Sequence, residues 1–181
     1  MKIIQIATGI VEFPPKGWGA IEYIIWNYKL ELEKLGHSVD VLGYWEFFDK
    51  YNSGFRDFDF IHIHISDQSY FLIENQIPYF FTIHDIHTYL YDNNSHEYIH
   101  TYVAIQNSIT TFVPSMILIE RYNQFKTKMV YIRHGVDNKK YVPVDKNMEN
   151  IKLLCVSNNV NIAGHIDNKG YVLASSVAKK R

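Results

Sequence analysis

Residues 1–44 constrain the fold more than any other part of the chain. Lys2 to Thr8 is short, apolar and partly β-branched, and it runs into Gly9, the pattern of a strand buried in a parallel sheet. Pro14, Pro15, Gly17 and Gly19 then exclude regular structure. Beyond them Ile21, Ile24, Ile25, Tyr28, Leu32 and Leu35 recur at helical spacing, and Gly36 stands where a C′ residue ends a helix. Ser38 to Tyr44 reads as a second strand. Strand, glycine loop, helix and strand make a βαβ unit, whose two strands are parallel and whose crossover is right-handed.

The alternation continues. Asp59 to Ile65, Tyr79 to Ile83, Thr110 to Val113 and Lys128 to Ile132 have strand patterns, while His96 to Asn107 and Met116 to Phe125 have helical ones. Elements of these lengths in this order predict an α/β fold, a doubly wound parallel sheet of Rossmann-like type. Pro143 to Asn150 is polar and aperiodic, a linker. Ile151 to Val156 then starts a new strand, and Tyr171 to Lys179 is helix-like. One strand and one helix cannot bury both faces of a layer. The expected organisation is a domain over residues 1–145, then a linker and the truncated beginning of a second domain over residues 146–181.

Composition narrows the function classes. A net charge of −1, from 18 basic and 19 acidic residues, provides no field to hold a nucleic-acid backbone. The lone Cys155 excludes an intrachain disulfide and fits a reducing compartment. The N-terminus has no secretory pattern, and no run approaches the roughly 20 apolar residues that span a bilayer. A soluble, cytoplasmic protein is expected.

Three places could carry chemistry. Ligands of doubly wound sheets bind outside the carboxyl ends of the strands, where helix N-termini attract phosphate. Gly17 and Gly19 would let a ligand approach the backbone there, although the same glycines suit a plain turn, and Glu22 stands where a dinucleotide fingerprint needs its third glycine. His62 and His64, two apart on a strand, share a face. With His84 and His87 they could bind a metal, or they point into a helix–sheet interface with satisfied ring nitrogens. His84 differs in following Phe81-Thr82-Ile83, so that a titratable ring stands just past a strand's carboxyl end.

Taken in order, these pieces resemble the group 1 glycosyltransferases of GT-B fold. Pro15 to Glu22 is similar to the family's P-x-x-x-G-G-x-E loop, with Trp18 interrupting the double glycine. Leu35-Gly36-His37-Ser38-Val39 is similar to its helix ending. Asp57 to His64 resembles D-x-D-V-I-H-x-H, and Pro78 with Thr82-Ile83-His84-Asp85 resembles P-x-x-x-T-x-H-D. Phe112 to Ser115 stands in place of the x-V-x-S strand end, and His134-Gly135-Val136-Asp137 with Pro143 is similar to N-G-V-D-x-x-x-F-x-P.

The resemblance implies an N-terminal, acceptor-side domain of a two-domain enzyme that moves a sugar from a nucleotide-sugar donor to an acceptor. Transfer would retain anomeric configuration, with no bound metal and no cofactor beyond the donor as co-substrate. It implies His84 at the reaction centre, Gly19 and Lys169 near the donor phosphates, and Gly17, Glu22 and Asp85 near the acceptor or sugar. Where the family has a glycine-arginine pair, Ser157-Asn158-Asn159 stands instead, while Lys169-Gly170 matches its K-G. The family's acidic E-x7-E segment is absent, so the chain alone is expected to be inactive. The partners implied are the nucleotide sugar and a glycan or lipid-linked acceptor; peripheral membrane contact and self-association stay open. The alternatives are a non-catalytic α/β partner of a complete transferase and a metal hydrolase built on His62, His64, His84 and His87.

Overall fold

Six short apolar segments pair side by side in one sheet whose strands all run the same way. The computed structural model describes residues 1–9, 11–16, 19–43, 46–47, 49, 55–84 and 92–135. Strands β1 (Lys2–Ile6), β2 (Ser38–Leu42), β3 (Phe60–Ile63), β4 (Phe80–Thr82), β5 (Thr111–Val113) and β6 (Met129–Tyr131) form a parallel sheet in the order β2-β1-β3-β4-β5-β6. The chain leaves β1 toward one edge and returns on its other side, so the order reverses between β1 and β3. Such a switch point opens a crevice at the carboxyl ends of its strands. The α/β class and the parallel, Rossmann-like sheet expected from the sequence are what the structure has.

Helix α1 (Ala20–Lys34) is bounded as its sequence dictates. Gly19 precedes it at φ 109°, Glu22 lies in its first turn and Lys34 in its last, each at the favourable end of the helix dipole. At the other end Gly36 takes φ 85°; its N–H bonds the Glu33 carbonyl at 3.0 Å, and His37 N–H bonds the Leu32 carbonyl at 3.1 Å. These two bonds are a Schellman stop, which satisfies carbonyls that the helix leaves unpaired.

Helices α2 (Gln68–Glu74), α3 (His96–Asn107) and α4 (Met116–Arg121) cover the opposite face of the sheet. Their Leu72, Ala104, Ile105 and Leu118 pack with Ile4, Ile6, Ile61, Ile63, Phe81 and Val113 in one core. Each aliphatic side chain so buried stabilises the fold by about 1.5–3 kcal/mol. Ser95 caps α3, its hydroxyl accepting from Tyr98 N–H, and Ser115 caps α4 by accepting from Ile117 N–H.

Two local differences from the sequence reading have physical causes. The helical pattern from Met116 to Phe125 is split: α4 stops at Arg121, Tyr122 leaves helical geometry at φ −112° and ψ 40°, and a 3-10 turn over Asn123–Lys128 delivers Met129 into β6. Nothing in the residue types marks that break. Helix α2 was not anticipated, because seven residues are too few to display a period. Gln76, at φ 55°, ends it where glycine is the usual residue.

The chain divides into two compact units, Met1–Gly135 and Val136–Arg181, and the described residues all belong to the first. Among the described residues, no helix is long and apolar enough to cross a membrane.

Candidate functional site

The parallel registers decide which side chains meet. Gln5 stands opposite His62 and His62 opposite Phe80, so Gln5, His62, His64, Thr82 and His84 share the α1 face of the sheet. His62 in β3 and His64 just past it each reach two residues ahead on β4 and the segment that follows it. His62 Nε2 lies 2.7 Å from Thr82 Oγ1, and His64 Nδ1 lies 2.7 Å from His84 Nε2. His64 Nε2 in turn lies 2.7 Å from Gln5 Oε1. The rings are in contact, with 4.2 Å between the His62 and His64 centroids and 5.0 Å between those of His64 and His84.

Beyond β6, His134 lays its ring nearly parallel to His84, at 11° and 5.6 Å. His64, His84 and His134 therefore converge from three strands at the carboxyl edge, the edge the sequence singled out through His84. The structure brings His62 and His64 together, with His62 Nε2 and both His64 nitrogens engaged, which is nearer the interface reading than the metal reading.

Burial sets the charge of this cluster. It lowers the His62 pKa to about 3, assisted by the His84 charge, and lowers that of His84 to about 4, assisted by His134. His64, fully enclosed and beside both His62 and His84, is held well below the ordinary histidine value, and burial lowers His134 as well. At neutral pH these are uncharged rings that exchange hydrogen bonds. They cannot neutralise an anion. One polar atom is left over: His84 Nδ1 is buried and has no hydrogen-bond partner among the described residues. An unmet buried polar atom costs roughly 1–3 kcal/mol.

The glycine loop forms a second, local arrangement. Glu22 is buried, and the Thr8 hydroxyl donates to its carboxylate. A Cβ built on Gly19 would stand 2.9 Å from Glu22 Oε2 and 3.2 Å from Val11 Cγ2. Glycine is thus required at position 19 both by its φ of 109° and by a carboxylate occupying the space above it. The positive end of α1 already faces that carboxylate. Gly17, Asp85, His87 and Lys169 lie outside the described residues.

A cleft of about 290 Å3 opens between α1 and the sheet, bordered by Tyr28, Leu32, Phe112 and Ile132, with Gln5, Glu31, His62, Thr82 and His134 as its polar lining. A larger depression of about 620 Å3, lined by Asp59, Glu74 and Asn75 among others, lies at the amino edge, away from the histidines. Among the described residues no three His, Cys, Asp or Glu side chains are grouped as a metal cage.

Sequence reasoning missed Gln5 and the stacking of His134. Gln5 offered a signal, a polar residue inside an otherwise apolar strand run. His134 was singled out only as standing in place of the asparagine of the N-G-V-D motif, which gave no sign of its contact with His84. Searches with protein-family models and among curated proteins return no match for this chain.

Proposed function

We propose that the described unit is the acceptor-side domain of a GT-B glycosyltransferase, with His84 beside the sugar being transferred. The observation that carries this reading is His84 itself. It stands just past the end of β4, at the carboxyl edge of a six-stranded parallel sheet, with a buried nitrogen that lacks a partner among the described residues.

An uncharged imidazole suits a sugar better than a phosphate, because it can accept from a hydroxyl without demanding a counter-charge. In this reading His84 orients the donor sugar, and retention of configuration and metal independence follow the group 1 pattern. The group 1 pattern assigns the leaving diphosphate to Lys169 and Gly19, where the Glu22 carboxylate already faces the helix N-terminus, and puts Gly17, Glu22 and Asp85 near the acceptor or sugar. The order of six motifs along the chain supports the reading independently of the geometry. In this reading the donor base and donor sugar are chosen mostly by the second domain of the complete enzyme, while the described unit shapes the acceptor site.

The test is a screen for nucleotide-sugar binding and hydrolysis, on this chain and on any longer product of the same gene. The expected result is donor consumption by a form that includes a complete second domain, with His84→Ala lowering kcat by a factor of about 100 or more, as loss of a positioned transition-state contact does. Absence of donor binding and turnover in every form would discard the assignment.

A further inference from the structure

His84 Nδ1 is either a bare acceptor or a buried N–H, and the difference decides what it can bind. The hydrogen-bond chain behind it settles which. An amide oxygen carries lone pairs and no proton, so Gln5 Oε1, 2.7 Å from His64 Nε2, requires the proton of that bond to be on His64 Nε2. A neutral imidazole carries one proton. His64 Nδ1 is then a bare acceptor, and the 2.7 Å contact to His84 Nε2 must be donated by His84. His84 in its turn has spent its single proton on Nε2, which leaves Nδ1 with a lone pair.

We infer that Gln5 and His64 are positioning residues that fix His84 in its Nε2–H tautomer, so that its unpartnered Nδ1 presents an acceptor to a hydroxyl of the ligand. The enclosure supports this: Gln5 is 1% exposed and His64 5%, so water does not compete for either bond. The near-parallel His134 ring restrains His84 from the rotation that would exchange its two nitrogens. Burial keeps all three rings neutral at physiological pH, and only neutral rings pass on a tautomer. The hydroxyl class of the ligand rests on the transferase reading; the tautomer does not.

The experiment is a long-range 1H–15N correlation spectrum of the full 181-residue chain, 15N-labelled at histidine, at pH 7.5. His64→Asn and His84→Asn assign the two rings by loss of their signals. Both rings are expected to show a protonated Nε2 and a bare Nδ1. A protonated His84 Nδ1 overturns the inference. Gln5→Leu removes the acceptor and is expected to replace the single His84 tautomer by a mixture; a folded Gln5→Leu chain with an unchanged single tautomer refutes the relay. None of these spectra requires sugar transfer, so a failed relay leaves the transferase reading standing, and an inactive enzyme leaves the tautomer result standing.

Discussion

On one face of the sheet Ile4, Ile6, Ile61, Ile63 and Phe81 are buried beneath three helices, whereas on the other Gln5, His62, His64 and Thr82 are buried with α1 as the one described helix above them. The same strands supply both sets, since alternate residues point to opposite sides. The first face is held by area removed from water, which tolerates small displacements. The second is held by hydrogen bonds of defined length, and each buried polar atom must find a partner or be a liability. Stability is concentrated on the helix-covered face, and the capacity for chemistry on the other.

Acid should break this symmetry most strongly. The folded-state pKa values of His62 and His84, about 3 and about 4, lie below the unfolded value of 6.5, as does that of His64. The unfolded chain therefore binds more protons. Stability is complete above pH 6.5 and declines as pH falls toward 4 and 3, by about 1.4 kcal/mol per pH unit for each ring that stays neutral in the fold. Urea midpoints measured from pH 7.5 to 4.5 should fall steeply, and His64→Gln, with one ring fewer, should flatten the slope. A pH-independent midpoint would mean that the histidines are not enclosed.

Leu72→Ala tests the apolar face. Leu72 is fully buried, and its truncation should cost about 2–5 kcal/mol by denaturant unfolding while leaving the pH slope intact. The smallest effect is expected at the open rim of the cleft beside α1: Ile132 is 46% exposed, and Ile132→Ala should change stability by about 0.5 kcal/mol or less. A loss comparable to that of Leu72→Ala would show that this surface is covered in solution.

Much of the architecture was legible because local chemistry and global fold agree. The β1–α1–β2 unit follows from an apolar run, a glycine loop, a 3.6-residue period and a C′ glycine, and α3 spans His96–Asn107 as its pattern predicts. The placement of His84 followed from a general rule about the carboxyl ends of parallel strands. What could not be read was lateral. His64 bonds a glutamine 59 positions earlier, and His134 stacks on His84 from a strand whose neighbours are set by topology. Residue spacing within an element says nothing about such partners. The break after Arg121 was hidden for a related reason: it serves the entry of Met129 into the sheet and has no signature of its own.

The crowding over Gly19 bears on how this sequence can drift. A side chain at position 19 would collide with the carboxylate of Glu22, so the two positions do not vary independently. A shorter residue at 22 takes the carboxylate from above position 19 but leaves the Val11 methyl there and the left-handed backbone, and it removes the carboxylate to which the Thr8 hydroxyl donates. Each exchange thus repairs one fault and opens another. Among natural variants of the chain, a glycine at 19 and a glutamate at 22 should be inherited as a pair.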